Sequence, residues 1–233
     1  MVTALRVLIT GANRGLGLAL VRLCLQRGDH VFAAARRFDA LEKLDSGGRL
    51  FPVPLDVDSG ESIAAAVDTV REHAVGLDLL INNAGIFPRA PAYASFGHIE
   101  AAALREVLQT NTIGPLLVAQ AFLPLLHNGS AARIINITSQ QGSLQWKTRG
   151  GSLSYSVSKA ALNMLTRVMA AELRPQGIIA AMIHPGWVQT DMGSANAALS
   201  ADQSAAYVLR IVDRLTLEDS GAFFNYDGSP HPW

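Results

Sequence analysis

Short runs of β-branched and aliphatic residues alternate with longer, Ala-rich amphipathic stretches from one end of this chain to the other. The runs at Arg6–Thr10, His30–Ala35, Leu50–Leu55, Leu77–Asn82, Arg133–Ser139, Ile178–His184 and Ala222–Phe224 suit strands buried on both faces. The stretches near Gly15–Arg27, Glu61–His73, Ile99–His127, Ser154–Glu172 and Ala201–Arg214 carry apolar residues at helical spacing. This is the βαβ rhythm, and it predicts a doubly wound α/β domain, a parallel sheet with helices on both faces in three layers. A length of 233 residues suits one such domain. The segments Phe87–Gly97 and Gln140–Ser152 are irregular and follow strands, so they are expected to cover one edge of a pocket at the carboxyl ends of the sheet.

Composition narrows the function classes. Basic and acidic residues balance at 19 each, and no basic run exceeds Arg36-Arg37, so no footprint for nucleic acid is present. The mean hydropathy of +0.23 is raised largely by Ala in helices, and no uncharged apolar stretch reaches the ~18–20 residues a membrane span needs. The opening Met1–Thr10 reads as a strand and not as a secretory signal. Cys24 has no partner for an internal disulfide, and no Cys/His cluster has metal-ligand spacing. A cytoplasmic protein without a structural metal is expected, with Cys24 a buried structural thiol.

The first strand ends in Thr10-Gly-Ala-Asn-Arg-Gly-Leu-Gly17 and runs straight into a helix. Glycines at 11, 15 and 17 permit a tight turn and close packing, and the helix start offers free N–H groups to a pyrophosphate. Gly11, Asn13, Arg14, Gly15, Leu16 and Gly17 are therefore candidate cofactor residues. The second strand ends Ala35-Arg-Arg37 with no acid at its tip, where a carboxylate would accept from ribose hydroxyls. Arg36, with Arg14 in reach of the same region, offers charge-assisted bonds to a 2′-phosphate, so NADP(H) is favoured over NAD(H).

Tyr155 and Lys159 stand four residues apart in a helical stretch, on one face with Cβ atoms ~5–6 Å apart. An ammonium there would hold the phenol pKa down, and a phenol so adjusted is a general acid near neutrality. Asn111 lies in Leu108-Gln-Thr-Asn-Thr-Ile-Gly-Pro115, where poor helix formers and a proline predict a local break.

With these residues in place, the chain resembles the short-chain dehydrogenase/reductase family. The motifs are Thr10–Gly17, Asp56-Val57, Asn82-Asn-Ala-Gly85, Asn111, Ser139, Tyr155-x3-Lys159 and Pro185-Gly-Trp-Val-Gln-Thr190, in order along nearly the whole chain. Within the family, Pro185–Gly193, Leu217–Gly221, Phe224–Gly228 and Pro232-Trp233 resemble the sniffer-like carbonyl reductases and the bacterial C-factor proteins. The resemblance implies a Rossmann-type sheet of order 3-2-1-4-5-6-7 and reduction of an aldehyde or ketone. It implies that Tyr155 gives the proton, Ser139 polarises the carbonyl, Lys159 lowers the phenol pKa and binds the nicotinamide ribose, and Asn111 holds a relay water. It places Asp56 and Val57 at the adenine, Asn83, Ala84 and Gly85 beside the adenosine ribose, and Val188 and Thr190 at the carboxamide.

His184, isolated before Pro185, reads as structural. The Ser139 to Tyr155 spacing of 16 residues is long and is expected to shape the pocket, with Phe87, Trp146 and Trp187 as apolar walls. Small residues over Gly193–Ala201 predict an open site. The expected partner is a small carbonyl compound, with a homo-oligomer through the long helices as an accompaniment. Two alternatives remain beside this: a nucleotide-binding signalling protein of C-factor type, and an NAD-dependent alcohol dehydrogenase, which Arg36 disfavours.

Overall fold

Two prolines decide where the sheet stops on one side. The third strand, β3 (Leu50–Pro54), carries Pro52 and Pro54, and a residue without an N–H belongs on an edge. A computed structural model describes residues 4–44 and 46–233 and places β3 there. The remaining strands are β1 (Arg6–Thr10), β2 (His30–Ala35), β4 (Leu79–Asn82), β5 (Arg133–Ile137), β6 (Ile179–His184) and β7 (Phe223–Asn225). The sheet order is β3-β2-β1-β4-β5-β6-β7, with every pairing parallel, as the motifs imply. The opposite edge, β7, is covered by the C-terminal segment, where His231 N donates to Phe223 O at 2.7 Å and Asn225 N to Ser229 O at 2.8 Å. That cover leaves no long exposed ladder on β7.

Alternation of side chains along the strands feeds two cores. Val7, Ile9, Leu79, Ile81, Ile135, Ile137, Ala181 and Ile183 face one layer, which holds α1 (Gly15–Gln26) and α7 (Ala201–Arg214). Leu8, Leu80, Ile134 and Ala180 face the other, built from α2 (Gly60–Arg71), α5 (Gly114–His127) and α6 (Leu153–Leu173). Cys24 is fully buried in the first core, where burial pushes its thiol up to about 12 and leaves it inert at neutral pH. No helix among the described residues is long and apolar enough to cross a membrane.

Several expected elements differ in detail. The stretch Ile99–His127 is not broken at Asn111: α4 (Ala101–Leu108) passes through a π-turn at Gln109–Ile113 into α5, and Gly114 N–H bonds Gln109 O. Widening the turn absorbs the poor helix formers, and Pro115 falls where the new segment starts. Phe87–Gly97 contains a short helix, α3 (Pro91–Ala94), started by its proline. β4 begins two residues late because Leu77 N bonds Leu125 O instead of the sheet. β5 stops at Ile137, and the chain turns at Ser139 into a single 3₁₀ turn, Gln140–Gly142.

Asp78, just before β4, ties three strands together. Its carboxylate accepts from Arg6 N, Nε and Nη2 at 2.8, 2.9 and 2.7 Å and from Ser130 N at 2.7 Å. Burial works against the charge, but these donors outweigh it and hold the carboxyl below its ordinary 3.8. A depressed folded value stabilises the protein above the unfolded pKa, and that contribution disappears as pH falls through the folded one. Asp78→Ala strands the Arg6 guanidinium and is expected to cost about 3–5 kcal/mol, read as a lower urea midpoint. The gap between variant and wild type should close as the pH drops below the ordinary carboxylate range. A gap that stayed constant into acid would show that the charge is not what Asp78 contributes.

Candidate active site

At the carboxyl ends of the strands, β1 turns into α1 through the glycine loop. Gly11 and Gly15 take φ of +65° and +51°, in the left-handed region that glycine occupies without strain. A Cβ on Gly11 would sit 2.9 Å from Ala84 Cα, and one on Gly17 would run into the Gly11 carbonyl. The loop after β4 braces this turn: Thr10 Oγ1 accepts from Asn83 N and Ala84 N, each at 3.0 Å, and Asn83 Nδ2 donates to Thr10 O at 2.9 Å. The start of α1 has no side-chain cap and no acid in its first turn. Its first N–H groups are therefore free for an anion.

A cavity of about 620 Å³ opens beside this loop. Arg14, Gly15, Leu16, Gly17, Asn83 and Gly85 line it together with Ser139, Tyr155, Lys159, Val188 and Thr190. One cavity thus brings together the glycine loop and the Ser, Tyr and Lys that lie more than a hundred residues downstream. Gly11 and Ala84 stand behind it as the braced turn. Asn13 is half-buried in the loop, while Arg36, Asp56 and Val57 sit beyond the cavity at the ends of β2 and β3.

Asn111 is fully buried at the π-turn. Its Oδ1 accepts from Ile86 N at 2.8 Å, and its Nδ2 donates to Ile86 O at 2.9 Å and Ser158 Oγ at 3.0 Å. Ser158 Oγ in turn donates to Tyr155 O at 2.8 Å, and Thr112 Oγ1 donates to Ser158 O at 2.9 Å. The π-turn therefore grips the first two turns of α6, where Tyr155 and Lys159 stand. From the other side, Gly142 lets the loop after β5 press onto the helix, since a Cβ there would lie 2.6 Å from the Lys159 carbonyl carbon.

Lys159 Nζ donates to Ile137 O at 2.9 Å, and among the described residues it has no carboxylate partner. Burial therefore depresses its ammonium to about 8. Tyr155 keeps part of its surface open to the cavity and packs its ring against Phe87, with centroids 4.5 Å apart. Burial pushes its phenol up to about 12, and the Ser139 hydroxyl pulls the other way. The Lys159 ammonium lies 5.8 Å from the ring centre, over its face, and desolvation is the largest influence on the phenol. His184 lines the cavity wall, and burial first and the neighbouring His231 second depress it to about 4, so it is neutral and structural.

Ion pairs missed in the sequence flank the cleft. Arg14 Nη1 reaches Asp191 Oδ2 at 2.9 Å, and Arg36 Nη1 lies 3.9 Å from Asp56 Oδ2. The tip of β2 is thus not free of acid, because the fold brings Asp56 across from β3. The segment 188–199 is internally bonded, with Val188 paired to Leu199 and Gly193 N donating to Thr190 Oγ1 at 3.1 Å. Arg89 Nη2 donates to Met192 O and Gly193 O at 2.8 and 2.7 Å, so the site is bridged where small residues predicted openness. Phe87 and Trp187 are cavity walls, whereas Trp146 lies outside the lining. Behind the site, Asn82 Nδ2 donates to Asn136 Oδ1 at 2.9 Å and Asn136 Nδ2 to Thr166 Oγ1 at 2.7 Å, fastening β4, β5 and α6.

A family model described as short chain dehydrogenase matches residues 5–200. C-signal of Myxococcus xanthus is 44% identical over 157 residues, 67% of this chain and 93% of C-signal. The structure of NADPH-bound carbonyl reductase from chicken fatty liver superposes with a TM-score of 0.91 at 41% identity, covering 100% of both chains. Carbonyl reductase Sniffer of D. melanogaster gives a TM-score of 0.91 at 34% identity, over 99% of this chain and 100% of its own.

The buried ammonium carries a stability consequence. Below about 8 the charge on Lys159 opposes folding in full; above that value the folded state sheds the proton before the unfolded chain does, and the penalty is gone above 10.5. Lys159→Met is therefore expected to raise the melting temperature of the cofactor-free protein at pH 7 by a few degrees, with the gain shrinking as pH approaches 10. A scanning-fluorimetry series in which Lys159→Met melts lower than wild type at pH 7 would contradict the cost assigned to burial.

Proposed function

The chain belongs to the short chain dehydrogenase family, and from that premise we propose that it reduces an aldehyde or ketone to an alcohol with NADPH. The observation that carries the reading is the single cavity that brings Ser139, Tyr155 and Lys159 beside the glycine loop and its uncapped helix start. Burial keeps the Tyr155 phenol protonated across the neutral range, the state from which a general acid acts. Arg36 at the tip of β2 weighs against an NAD-dependent alcohol dehydrogenase.

The residues fit the cofactor. The uncapped N–H groups of α1 after Gly11, Gly15 and Gly17 suit a pyrophosphate. Arg14 and Arg36 would take the 2′-phosphate, Asp56 and Val57 the adenine, Asn83, Ala84 and Gly85 the adenosine ribose, Val188 and Thr190 the carboxamide, and Lys159 the nicotinamide ribose. Arg14 would exchange Asp191 for the phosphate; an exposed pair is worth about 0.2–1 kcal/mol, less than charge-assisted bonds to phosphate supply. Bound in this cleft, NADPH supplies the hydride.

The chain's own groups do the rest. Tyr155 donates its proton to the carbonyl oxygen as negative charge grows there. Ser139, whose Oγ accepts from Gln141 N at 3.1 Å, holds its hydroxyl toward the same oxygen. Lys159, anchored on Ile137 O, keeps a positive charge beneath the phenol as it gives up its proton. Asn111 fixes Ile86 and Ser158, and through them the floor of the site, and is the residue beside which a relay water would sit. The likeness to C-signal favours a second reading, a nucleotide-binding signalling protein.

Titration with NADPH and NADH by Trp fluorescence quenching tests the cofactor assignment, and tighter binding of NADPH is expected. Tyr155→Phe should lower kcat by at least about a thousandfold while NADPH binding stays within a factor of about two. Retained kcat in that variant would remove Tyr155 from the reaction; tight NADPH binding with no aldehyde or ketone reduced would favour the signalling reading. Arg36→Asp should weaken NADPH by about tenfold or more with little cost to NADH, and equal losses would end the 2′-phosphate assignment.

A further inference from the structure

Arginines around the cleft differ in how their charge is met. Arg14 has Asp191 at 2.9 Å and Arg36 has Asp56 at 3.9 Å. Arg89 lines the same cavity as Tyr155, yet among the described residues no carboxylate pairs with it. Asp191, one residue from Met192, turns its carboxylate to Arg14. The two bonds of Arg89 both leave from Nη2, to the carbonyls of Met192 and Gly193, so three of its five N–H donors stay open. Its guanidinium carbon stands 5.3 Å from the Phe87 ring centre, and Phe87 packs at 4.5 Å on Tyr155. An unmatched cation is thereby fixed within about 10 Å of the Tyr155 ring, in the same cavity. Phe87 lies between the two, and Trp187 and Met192 line the same cavity as further apolar walls, keeping 55% and 37% of their surface exposed.

We infer that the substrate is an amphipathic carbonyl compound bearing a carboxylate, with its apolar body on Phe87, Trp187 and Met192 and its anionic end on Arg89. This rests on the carbonyl-reductase reading of the same site. A planar carboxylate suits a guanidinium that is itself held over a ring and by two backbone carbonyls. Both carbonyls that Arg89 already binds belong to the 188–199 segment, so the arginine that recognises the anion also holds the cavity's upper wall. An exposed cation contributes modestly, a few-fold in affinity and not many thousands.

The test compares 4-carboxybenzaldehyde with its methyl ester, using NADPH, in wild type, Arg89→Gln and Arg89→Lys. The ratio of kcat/KM for acid over ester cancels any general effect of loosening the 188–199 segment. A ratio of about three to ten in wild type, falling to about one in Arg89→Gln, partly kept in Arg89→Lys and shrinking with added salt, is expected. A wild-type ratio near one, or a ratio that survives Arg89→Gln, overturns the inference and leaves Arg89 as a strut. Binding of 4-(hydroxymethyl)benzoate and its methyl ester to the protein with NADP⁺, followed by calorimetry, reads the anion site without turnover. Preference for the acid that is lost in Arg89→Gln upholds the inference even where neither aldehyde is reduced, and that lack of reduction counts only against the reaction. Absence of that preference overturns it.

Discussion

An ammonium buried without a counter-charge is the constraint around which this cleft is arranged. Lys159 is 5% exposed and holds one backbone carbonyl, Ile137 O, at 2.9 Å. Such a group is costly to bury, and it stays in place only because its surroundings prevent escape to water. The surroundings do so from three directions: β5 presents the carbonyl, Gly142 lets the following loop sit directly on the α6 backbone, and the π-turn at Gln109–Ile113 holds Ser158 from the opposite side. Each of these contacts comes from a different element, so the position of one cation depends on the whole central sheet being in register.

That dependence explains the polar residues found where apolar ones would be cheaper. Asn82, Asn136 and Thr166 form a buried ladder across β4, β5 and α6, and Thr138 Oγ1 donates to Asn163 Oδ1 at 2.6 Å beside it. Such bonds have preferred directions that apolar contacts lack. They fix the rotation and slide of α6 against the sheet, and Tyr155 and Lys159 are carried on that helix. Asn82 Oδ1 is without a partner, so the ladder is not saturated and its value lies in geometry more than in net stability.

Much of the fold was readable because it follows from periodicity. Seven apolar runs gave seven strands, and α7 falls on Ala201–Arg214 as its pattern predicts. The glycine loop was readable because backbone torsion and close approach leave few other residues possible at Gly11 and Gly17. What could not be read comes from pairs distant in sequence. Arg14 with Asp191, Arg36 with Asp56 and Arg89 with the carbonyls of Met192 and Gly193 join segments that no local pattern connects. The one signal available for the buried ladder was Asn136 inside the run Ile134-Ile-Asn-Ile137, a polar residue that a buried strand keeps only with a partner.

Spacing alone does not register that the helix face carrying Tyr155 and Lys159 is removed from water. An i, i+4 pair on an exposed helix would leave the two charges to decide the matter through Coulomb attraction. Here the helix face is buried, and removal from water acts on both groups at once, raising the phenol to about 12 and lowering the ammonium to about 8. Both shifts favour the neutral forms, so in the absence of any ligand the site holds a protonated phenol above a weakened ammonium. Positive charge placed in the cleft would lower the phenol, and negative charge on a substrate oxygen would draw the proton from it. In the proposed reduction the acid strength of Tyr155 would depend on what occupies the cavity and not on Lys159 alone.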